Sequence, residues 1–458
     1  MRICVLSGSP KGELSVTLQS VLFIQKHFPA HEMNIIHIGR EIKSLEKDPA
    51  KVSEVVAQIS SSEMIIMATP VYTFNIPSQF KRFIELIFAS GNAAAFKGKY
   101  AACITTSINF FDHSAHSYLR AVCEDLGMNF AGSYSADSYD LLEDGQRSRL
   151  LSFAGHIFET ATSKRPCSRA FLPVLKSAFA YKSTETSELK LLSDKRVVIL
   201  IDAKRQGSNL PAMVDKIASQ FERAEVLDLS DLNVSGGCLG CIQCGFDHNC
   251  VYGDKDDFIA FYENKVKPAD ILIFAGDIKD RFLSSTWKQF FDRGFYNTHT
   301  PTMIGKQLGF MISGPLAQIA PIREVLEAFA EWQGANLVDI ITDEPADNSV
   351  IDALIREMAE KSLRMAKDSY VRPSTFLGKA GMKVFRDDVY GRHRFVFQAD
   401  HMYFDNHGIY DFPQDDKRAM DTNATMFELT KDPQMRGAIR KMLKTEMVKP
   451  HQKIVETK

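Results

Sequence analysis

One recurring pattern constrains the fold of this chain more than any single motif. Met64-Ile65-Ile66-Met67-Ala68 is followed by Phe80-Lys81-Arg82-Phe83-Ile84-Glu85. The pair returns 207 residues later as Ile271-Leu272-Ile273-Phe274-Ala275 and Trp287-Lys288-Gln289-Phe290-Phe291-Asp292. Pro70 and Gly98 map onto Asp277 and Gly305 at the same offset. A constant offset over several landmarks is the signature of a duplicated unit. At the first apolar run of each copy, Ile3 to Leu6 and Val197 to Ile201, Ser7 maps onto Asp202 at an offset of 195, so 12 extra residues entered copy two before its third strand.

Within copy one the apolar runs read as strands: Ile3 to Leu6, Ile35-Ile36, Met64 to Ala68, Ala101 to Thr106 and Phe130 to Ala136. Leu14 to Phe28 and Phe80 to Ile87 between them have helical spacing. Short apolar strands separated by amphipathic helices predict an α/β fold, a doubly wound parallel sheet covered on both faces, built twice in tandem. The expected division is 1–162 for copy one, 163–194 for a Ser/Thr/Lys-rich linker with one helix near Phe171 to Phe179, 195–367 for copy two, and 368–458 for a C-terminal extension. The aromatics and histidines of 371–414, including His393, His401 and His407, read as packing, and Met435 to Met447 as a helix. The whole extension is expected to pack on the copies or on a second subunit, being too aromatic for a solvated arm.

Composition removes several classes of function. Of 458 residues, 45% are apolar and 24% charged, which supplies a core and argues against disorder. A net charge of −2 leaves no general basic field for nucleic acid. No apolar run approaches the ~18–20 residues of a membrane helix. The N-terminus reaches Gly8-Ser9-Pro10 too soon for a signal peptide, so a cytoplasmic location is expected.

In an open parallel sheet, ligands bind beyond the carboxyl ends of the strands. Two special loops fall there in copy one. Ser7-Gly8-Ser9-Pro10-Lys11, continuing to Ser15 and Thr17, offers hydroxyls, backbone N–H groups, a helix N-terminus and a lysine to a phosphate. It is neither a dinucleotide Gly-x-Gly-x-x-Gly loop nor a P-loop. The second loop, Thr69-Pro70-Val71-Tyr72-Thr73-Phe74-Asn75, can lay an aromatic and backbone groups against a flat ring. Together they resemble the NADPH-dependent FMN reductase and iron–sulfur flavoprotein families, of flavodoxin-like fold. The resemblance covers 1–162 and 195–367 and makes both copies flavodoxin-like domains. It puts Ser7, Ser9, Pro10, Ser15 and Thr17 on the FMN phosphate, where the charge of Lys11 adds to them, and Pro70, Tyr72, Thr73 and Asn75 on the isoalloxazine. Where the family has Ser-Asn-Thr, this chain has Ser15-Val16-Thr17. The loop after strand four, with Thr105, Thr106, His113 and His116, is expected to close the other side of the flavin. In copy two, Lys204, Arg205, Ser208 and Asn209 suit a phosphate, but the ring loop lacks the Pro and the aromatic, so copy one is the favoured flavin site.

Copy two carries Cys238-x2-Cys241-x2-Cys244-x5-Cys250, four of the chain's eight cysteines, in the interval of its extra residues. Clustered cysteines in a reducing compartment indicate metal or redox chemistry rather than disulfides. Four close thiolates suit a [4Fe–4S] cluster. Zinc usually takes two separated pairs, and free thiols are the third reading. The spacing resembles the compact motif of iron–sulfur flavoproteins. The resemblance implies an oxidoreductase that takes electrons from NAD(P)H through FMN to a small-molecule or protein acceptor, as a homo-oligomer. The alternatives are an electron carrier served by protein partners instead of NAD(P)H, and a scaffold whose copies have lost their cofactors.

Overall fold

The computed structural model describes residues 1–184, 190–202, 208–411 and 416–456. Copy one runs β1 (Arg2–Ser7), α1 (Val16–His27), β2 (Glu32–Ile36), α2 (Ile38–Lys47), α3 (Pro49–Ser61), β3 (Met64–Pro70), α4 (Ser78–Ala89), β4 (Tyr100–Ser107), α5 (Asp112–Asp125), β5 (Asn129–Asp137) and α6 (Asp144–Thr162). Copy two repeats the order with β6 (Val197–Ile201), α7 (Leu210–Gln220), β7 (Glu225–Asp228), the short α8 (Phe258–Phe261), β8 (Ile271–Asp277), α9 (Ser285–Gly294), β9 (Gln307–Ser313), α10 (Ala320–Trp332), β10 (Asn336–Thr342) and α11 (Asn348–Lys367). Helices α12 (Phe376–Tyr390), α13 (Gln398–Asn406), α14 (Lys417–Leu429) and α15 (Pro433–Glu456) follow.

Among the described residues there are two five-stranded sheets, ordered β2-β1-β3-β4-β5 and β7-β6-β8-β9-β10, and every strand pair is parallel. This is the flavodoxin-like order, whose topological switch lies between the first and third strands of each sheet. A parallel sheet buried on both faces needs continuous apolar strands, and Ile3 to Leu6 and Ile271 to Ala275 are all nearly inaccessible. In copy one, Val5, Ile66 and Ile104 pack on Leu18 of α1 and Ile157 of α6; in copy two, Ile199, Ile273 and Met311 pack on Met213 of α7 and Ile355 of α11.

The copies meet along α4 and α9. The contact is reciprocal. Ser78 N–H, at the start of α4, donates to Asp292 Oδ2 at 2.8 Å, and Ser285 N–H, at the start of α9, donates to Glu85 Oε1 at 2.7 Å. Ser78 and Ser285, Lys81 and Lys288, and Glu85 and Asp292 are the three equivalent pairs at the 207-residue offset. Each carboxylate therefore meets the positive end of the other copy's helix while pairing with the lysine one turn earlier on its own. One chain thus carries the self-complementary interface of a two-fold dimer.

The segment before copy two departs from expectation. Phe171 to Phe179 is irregular rather than helical. Pro173 lacks an N–H, and tertiary partners take the neighbouring backbone groups. Ala170 and Phe171 N–H donate to Glu124, and Leu175 bonds Gln318 through both its N–H and its carbonyl. The chain divides into two compact units, Met1–His401 and Met402–Lys458. The first therefore includes α12, which packs on α10 and is fastened by Glu331, whose carboxylate accepts from Thr375 N–H and Oγ1–H at 2.9 Å. Within the second, α15 contains the expected Met435 to Met447 helix, and Lys431–Glu428 and Lys449–Glu446 pair one turn apart. Among the described residues no helix is long and apolar enough to cross a membrane.

Candidate functional site

A cavity of about 250 Å³ opens at the carboxyl ends of β1, β3 and β4. The loop after β1 supplies Ser9, Lys11, Ser15 and Thr17, the loop after β3 Pro70, Tyr72 and Thr73, and β4 Thr106. Ser15 caps α1 by accepting Leu18 N–H at 3.3 Å, and Ser9 Oγ accepts Lys11 N–H at 3.3 Å. These bonds turn the chain from strand into helix and leave the helix N-terminus at the cavity. The β3 loop doubles back through reciprocal backbone bonds between Tyr72 and Asn75 at 2.7 and 2.8 Å, with Phe74 at φ +68° and its ring buried against Phe110, Phe111 and Trp332.

Thr17 Oγ1, Tyr72 Oη and Thr106 Oγ1 are buried without a hydrogen-bond partner. They come from the first turn of α1, the β3 loop and the end of β4, and border this one cavity. An unmatched buried hydroxyl costs about 1–3 kcal/mol, so three convergent ones mark a place built for a polar ligand. Hydroxyls at a helix N-terminus fit a phosphate and the aromatic loop fits a flat ring, so the residues present fit FMN.

Not every expected residue reaches the cavity. Ser7 is buried at the end of β1, and Asn75 faces a separate small cavity beside Tyr118 and Phe282. Pro10 is not among the lining residues. Thr105 hydrogen-bonds His116 at 2.7 Å, and His113 meets Glu324 at 3.3 Å, so the histidines of α5 do not close the site. Other walls close it instead. Copy two contributes Cys238, Gly240, Ile242, Asp292, Phe295, His299 and Trp332, and the C-terminal segment contributes Phe385, Asp388, His393 and Phe397. Arg392 of that segment pairs with Asp137 of copy one at 2.9 Å, and Tyr139 meets His393 at 3.0 Å. The C-terminal residues among these carry no sequence signal for this site: the 371–414 histidines and aromatics look like packing until the fold brings them to copy one.

The cysteine loop lies on copy one. Gln79 Nε2–H donates to the Cys238 carbonyl at 3.0 Å, and Lys43 Nζ reaches the Ser235 carbonyl. Gly240, at φ +61°, sits so close to Tyr72 that a Cβ there would lie 1.8 Å from the phenol oxygen. Buried Arg293 anchors the loop from behind, donating to the Gly236 carbonyl at 2.9 Å and pairing with Asp256 at 2.8 Å. The four cysteines border a second, smaller cavity, and Cys238, Gly240, Ile242 and Phe295 line both cavities. Burial pushes the Cys238 thiol up to about 12 and raises Cys244 as well. Burial lowers Lys11, opposed by Cys238 and Cys241. Among the described residues no group of three or more His, Cys, Asp or Glu is arranged to hold a metal ion.

In copy two the equivalent site is occupied by its own carboxylates. Ser208 Oγ–H donates to Asp277, Lys279 pairs with Asp277 at 3.0 Å, and Ser284 donates to Asp202. Asn209 Nδ2–H, Ser313 Oγ–H and Gly314 N–H all donate to Asp343, at 2.7, 2.8 and 2.8 Å. The expected phosphate donors Ser208 and Asn209 thus already serve carboxylates, which repel an anion; Lys204 and Arg205 lie outside the described residues.

The sequence model of the NADPH-dependent FMN reductase family matches residues 1–140 and 195–340. An FMN-dependent NADH:quinone oxidoreductase of Yersinia enterocolitica is 42% identical over 38 residues, 8% of this chain and 19% of that protein. FMN-dependent NADH:quinone oxidoreductase 8 of Burkholderia lata is 28% identical over 126 residues, 24% of this chain and 60% of that protein. The chain thus spans less than two thirds of the length of these curated relatives. A crystal structure of an NADH:FMN oxidoreductase in its apo form superposes with a TM-score of 0.31 at 24% identity, covering 35% of this chain and 89% of that one.

Proposed function

Because the chain belongs to the NADPH-dependent FMN reductase family, matched in both of its copies, we propose that it is an NAD(P)H-dependent oxidoreductase holding one FMN, in copy one. The observation that carries the reading is the convergence of the unpartnered Thr17, Tyr72 and Thr106 hydroxyls on one cavity at the β1/β3 switch. In this reading 1–162 is the flavin domain, 195–367 is a partner domain that walls the site, and Phe385, Asp388, His393 and Phe397 close it. Ser9, Ser15, Thr17, Lys11 and the N-terminus of α1 hold the phosphate. Pro70, Tyr72 and Thr73 hold the ring, with Thr106 alongside. Bound FMN supplies hydride acceptance and onward electron transfer. The protein binds and orients, and its aromatic walls, Phe74, Trp332, Phe385 and Phe397, exclude water.

The curated relatives are named as NADH:quinone oxidoreductases, so a quinone-type carbonyl compound is the acceptor class we propose. Titration of purified protein with FMN, followed by steady-state NAD(P)H oxidation with a quinone, tests the reading. One FMN per chain and quinone-dependent turnover are expected. Failure to bind FMN overturns it, and FMN binding without NAD(P)H oxidation favours a carrier served by protein partners.

A second reading concerns the four cysteines, and the wall they share with the flavin cavity favours it. A [4Fe–4S] cluster needs thiolates spread around one body, and Cys238, Cys241, Cys244 and Cys250 border one cavity. Ligation would have to remove the protons that burial holds on Cys238 and Cys244. Zinc and free thiols are its competitors, and the reaction proposed above has no step through a cluster.

A further inference from the structure

A second polar constellation reaches the flavin cavity from copy two. Thr298, just after α9 and its following turn, has φ +49°, a left-handed conformation that a β-branched residue adopts only under constraint. The constraint is Asp400, at the start of α13 and fully buried. Its Oδ1 accepts Thr298 Oγ1–H at 2.6 Å, His299 N–H at 3.0 Å and Thr300 Oγ1–H at 3.1 Å. Its Oδ2 accepts Nδ1–H of His299 at 2.7 Å. His248, on the cysteine loop, approaches Oδ1 at 3.7 Å and meets Thr298 Oγ1 at 3.1 Å. Burial alone would raise this carboxyl, but the charge of His299 and the hydrogen bonds from His248, His299 and Thr298 hold it well below the usual carboxylate range.

The result is an imidazole fixed in orientation. The His299 ring lies 4.0 Å from that of Phe385 and 4.7 Å from that of Phe397, between centroids. Its Nδ1 edge is committed to Asp400, and the ring borders the flavin cavity. Its Nε2 has no hydrogen-bond partner among the described residues. A buried carboxylate behind one ring nitrogen, with the ring bordering a ligand cavity, is the arrangement that fixes a histidine tautomer and holds its other nitrogen in place.

We propose that His299, positioned by Asp400, is the proton donor to the carbonyl acceptor reduced in this cavity. The proposal rests on the oxidoreductase reading above. Two-electron reduction of a quinone moves the π pair of a carbonyl onto its oxygen, which must then gain a proton. NAD(P)H supplies a hydride equivalent, the electron pair together with the hydrogen of the other O–H group, and leaves as NAD(P)⁺. The proton comes from Nε2–H of imidazolium His299. The N–H bond breaks with its pair left on nitrogen, an O–H bond forms on the acceptor, and neutral His299, still bonded to Asp400 through Nδ1–H, is reprotonated from solvent.

The test compares two acceptors on the FMN-loaded full chain: 1,4-benzoquinone, which takes up protons, and ferricyanide, which takes electrons alone. His299→Gln should slow benzoquinone reduction about 10²-fold relative to ferricyanide reduction by the same FMN-loaded protein. Ring ¹⁵N shifts of His299 in FMN-free protein give a readout independent of turnover. At a pH where the ring is neutral, its one proton should sit on Nδ1 in wild type and move to Nε2 in Asp400→Asn, whose amide is a donor where the carboxylate accepted. If Asp400→Asn fails to fold, His299→Gln carries the test alone. Equal benzoquinone rates in wild type and His299→Gln overturn the proposal, as does a parallel loss with both acceptors. Wild-type protein that binds FMN yet oxidises NAD(P)H with neither acceptor overturns the oxidoreductase reading itself, which the wild-type arm registers separately.

Discussion

Asp292 accepts the backbone N–H of Ser78 at 2.8 Å, reaching from copy two to the helix that follows the ring loop of copy one. The same carboxylate borders the cavity at the ends of β1, β3 and β4, and its lysine partner, Lys288, donates to the Tyr72 carbonyl at 3.1 Å. The ring loop of copy one is therefore held from behind by the other copy. Burial raises the Asp292 carboxyl and lowers Lys288, each toward its neutral form. The equivalent pair differs: burial opposes charge on Glu85 too, but Lys81 and Ser285 outweigh it and hold Glu85 at about 2.

That difference gives a pH dependence. Glu85 titrates in the folded protein below its usual 4.5, so its contribution to stability is complete above about pH 4.5 and is lost as pH falls toward 2. It amounts to about 3 kcal/mol. Glu85→Gln should lower stability at pH 7 by roughly that amount and flatten the acid limb of a denaturation series. Equal acid limbs in variant and wild type would refute the assignment.

The phosphate loop gives a second prediction. Ser9→Asp combined with Thr17→Glu places carboxylates where an anion is expected and should weaken FMN binding at least 10-fold. Thr17→Val is milder: it removes an unmatched hydroxyl, so FMN-free protein should be no less stable, while FMN affinity falls about 3- to 10-fold. Fluorescence titration and thermal melts of the same samples read both effects.

Much of the fold was legible in the sequence because duplication states it twice. Apolar runs four to seven residues long mark the central strands, and the 207-residue offset predicts that Lys81 and Lys288 occupy equivalent places. Ser9, Thr17 and Tyr72, which line one cavity, stand out in the sequence because each falls in a local pattern that follows a strand. The rest of the cavity was not. His299 and Asp400 are 101 residues apart and meet only through tertiary packing. Phe171 to Phe179 looked helical because local spacing carries no record of Gln318 or Glu124. Ser208 and Asn209 suited a phosphate by residue type, while their true partners, Asp277 and Asp343, lie on distant strand ends.

Close approach of the cysteine loop to the ring loop can be tested at Gly240. Gly240→Val adds bulk that meets the Tyr72 phenol and strains a left-handed backbone, an effect of about 1–3 kcal/mol. FMN affinity should fall about 10-fold. Adding Tyr72→Phe to Gly240→Ala should recover part of the loss suffered by Gly240→Ala alone, since the phenol oxygen is the atom in the way. Strict additivity of the two changes would count against this contact.

For the cysteine centre, anaerobically reconstituted protein should hold about four irons per chain, with broad absorbance near 400 nm beyond that of the flavin. Cys241→Ser should lose most of that iron and keep FMN. Stoichiometric zinc, or four alkylatable thiols in protein prepared without air, would reject the cluster.

The reciprocal contact of Ser78 with Asp292 and Ser285 with Glu85 has an evolutionary consequence. In a homodimer every substitution appears on both sides of the axis, so a change that improves one flavin site as host and its neighbour as wall must serve both duties at once. Joining the halves in one chain removes that obligation. One half can then keep open loops at its strand ends while the other commits the equivalent positions to carboxylates, as Ser208 to Asp277 and Asn209 to Asp343, and carries a cysteine loop that meets its neighbour. The covalent tether also keeps the two halves together at any dilution, so the interface needed only to orient them and its residues were free to specialise.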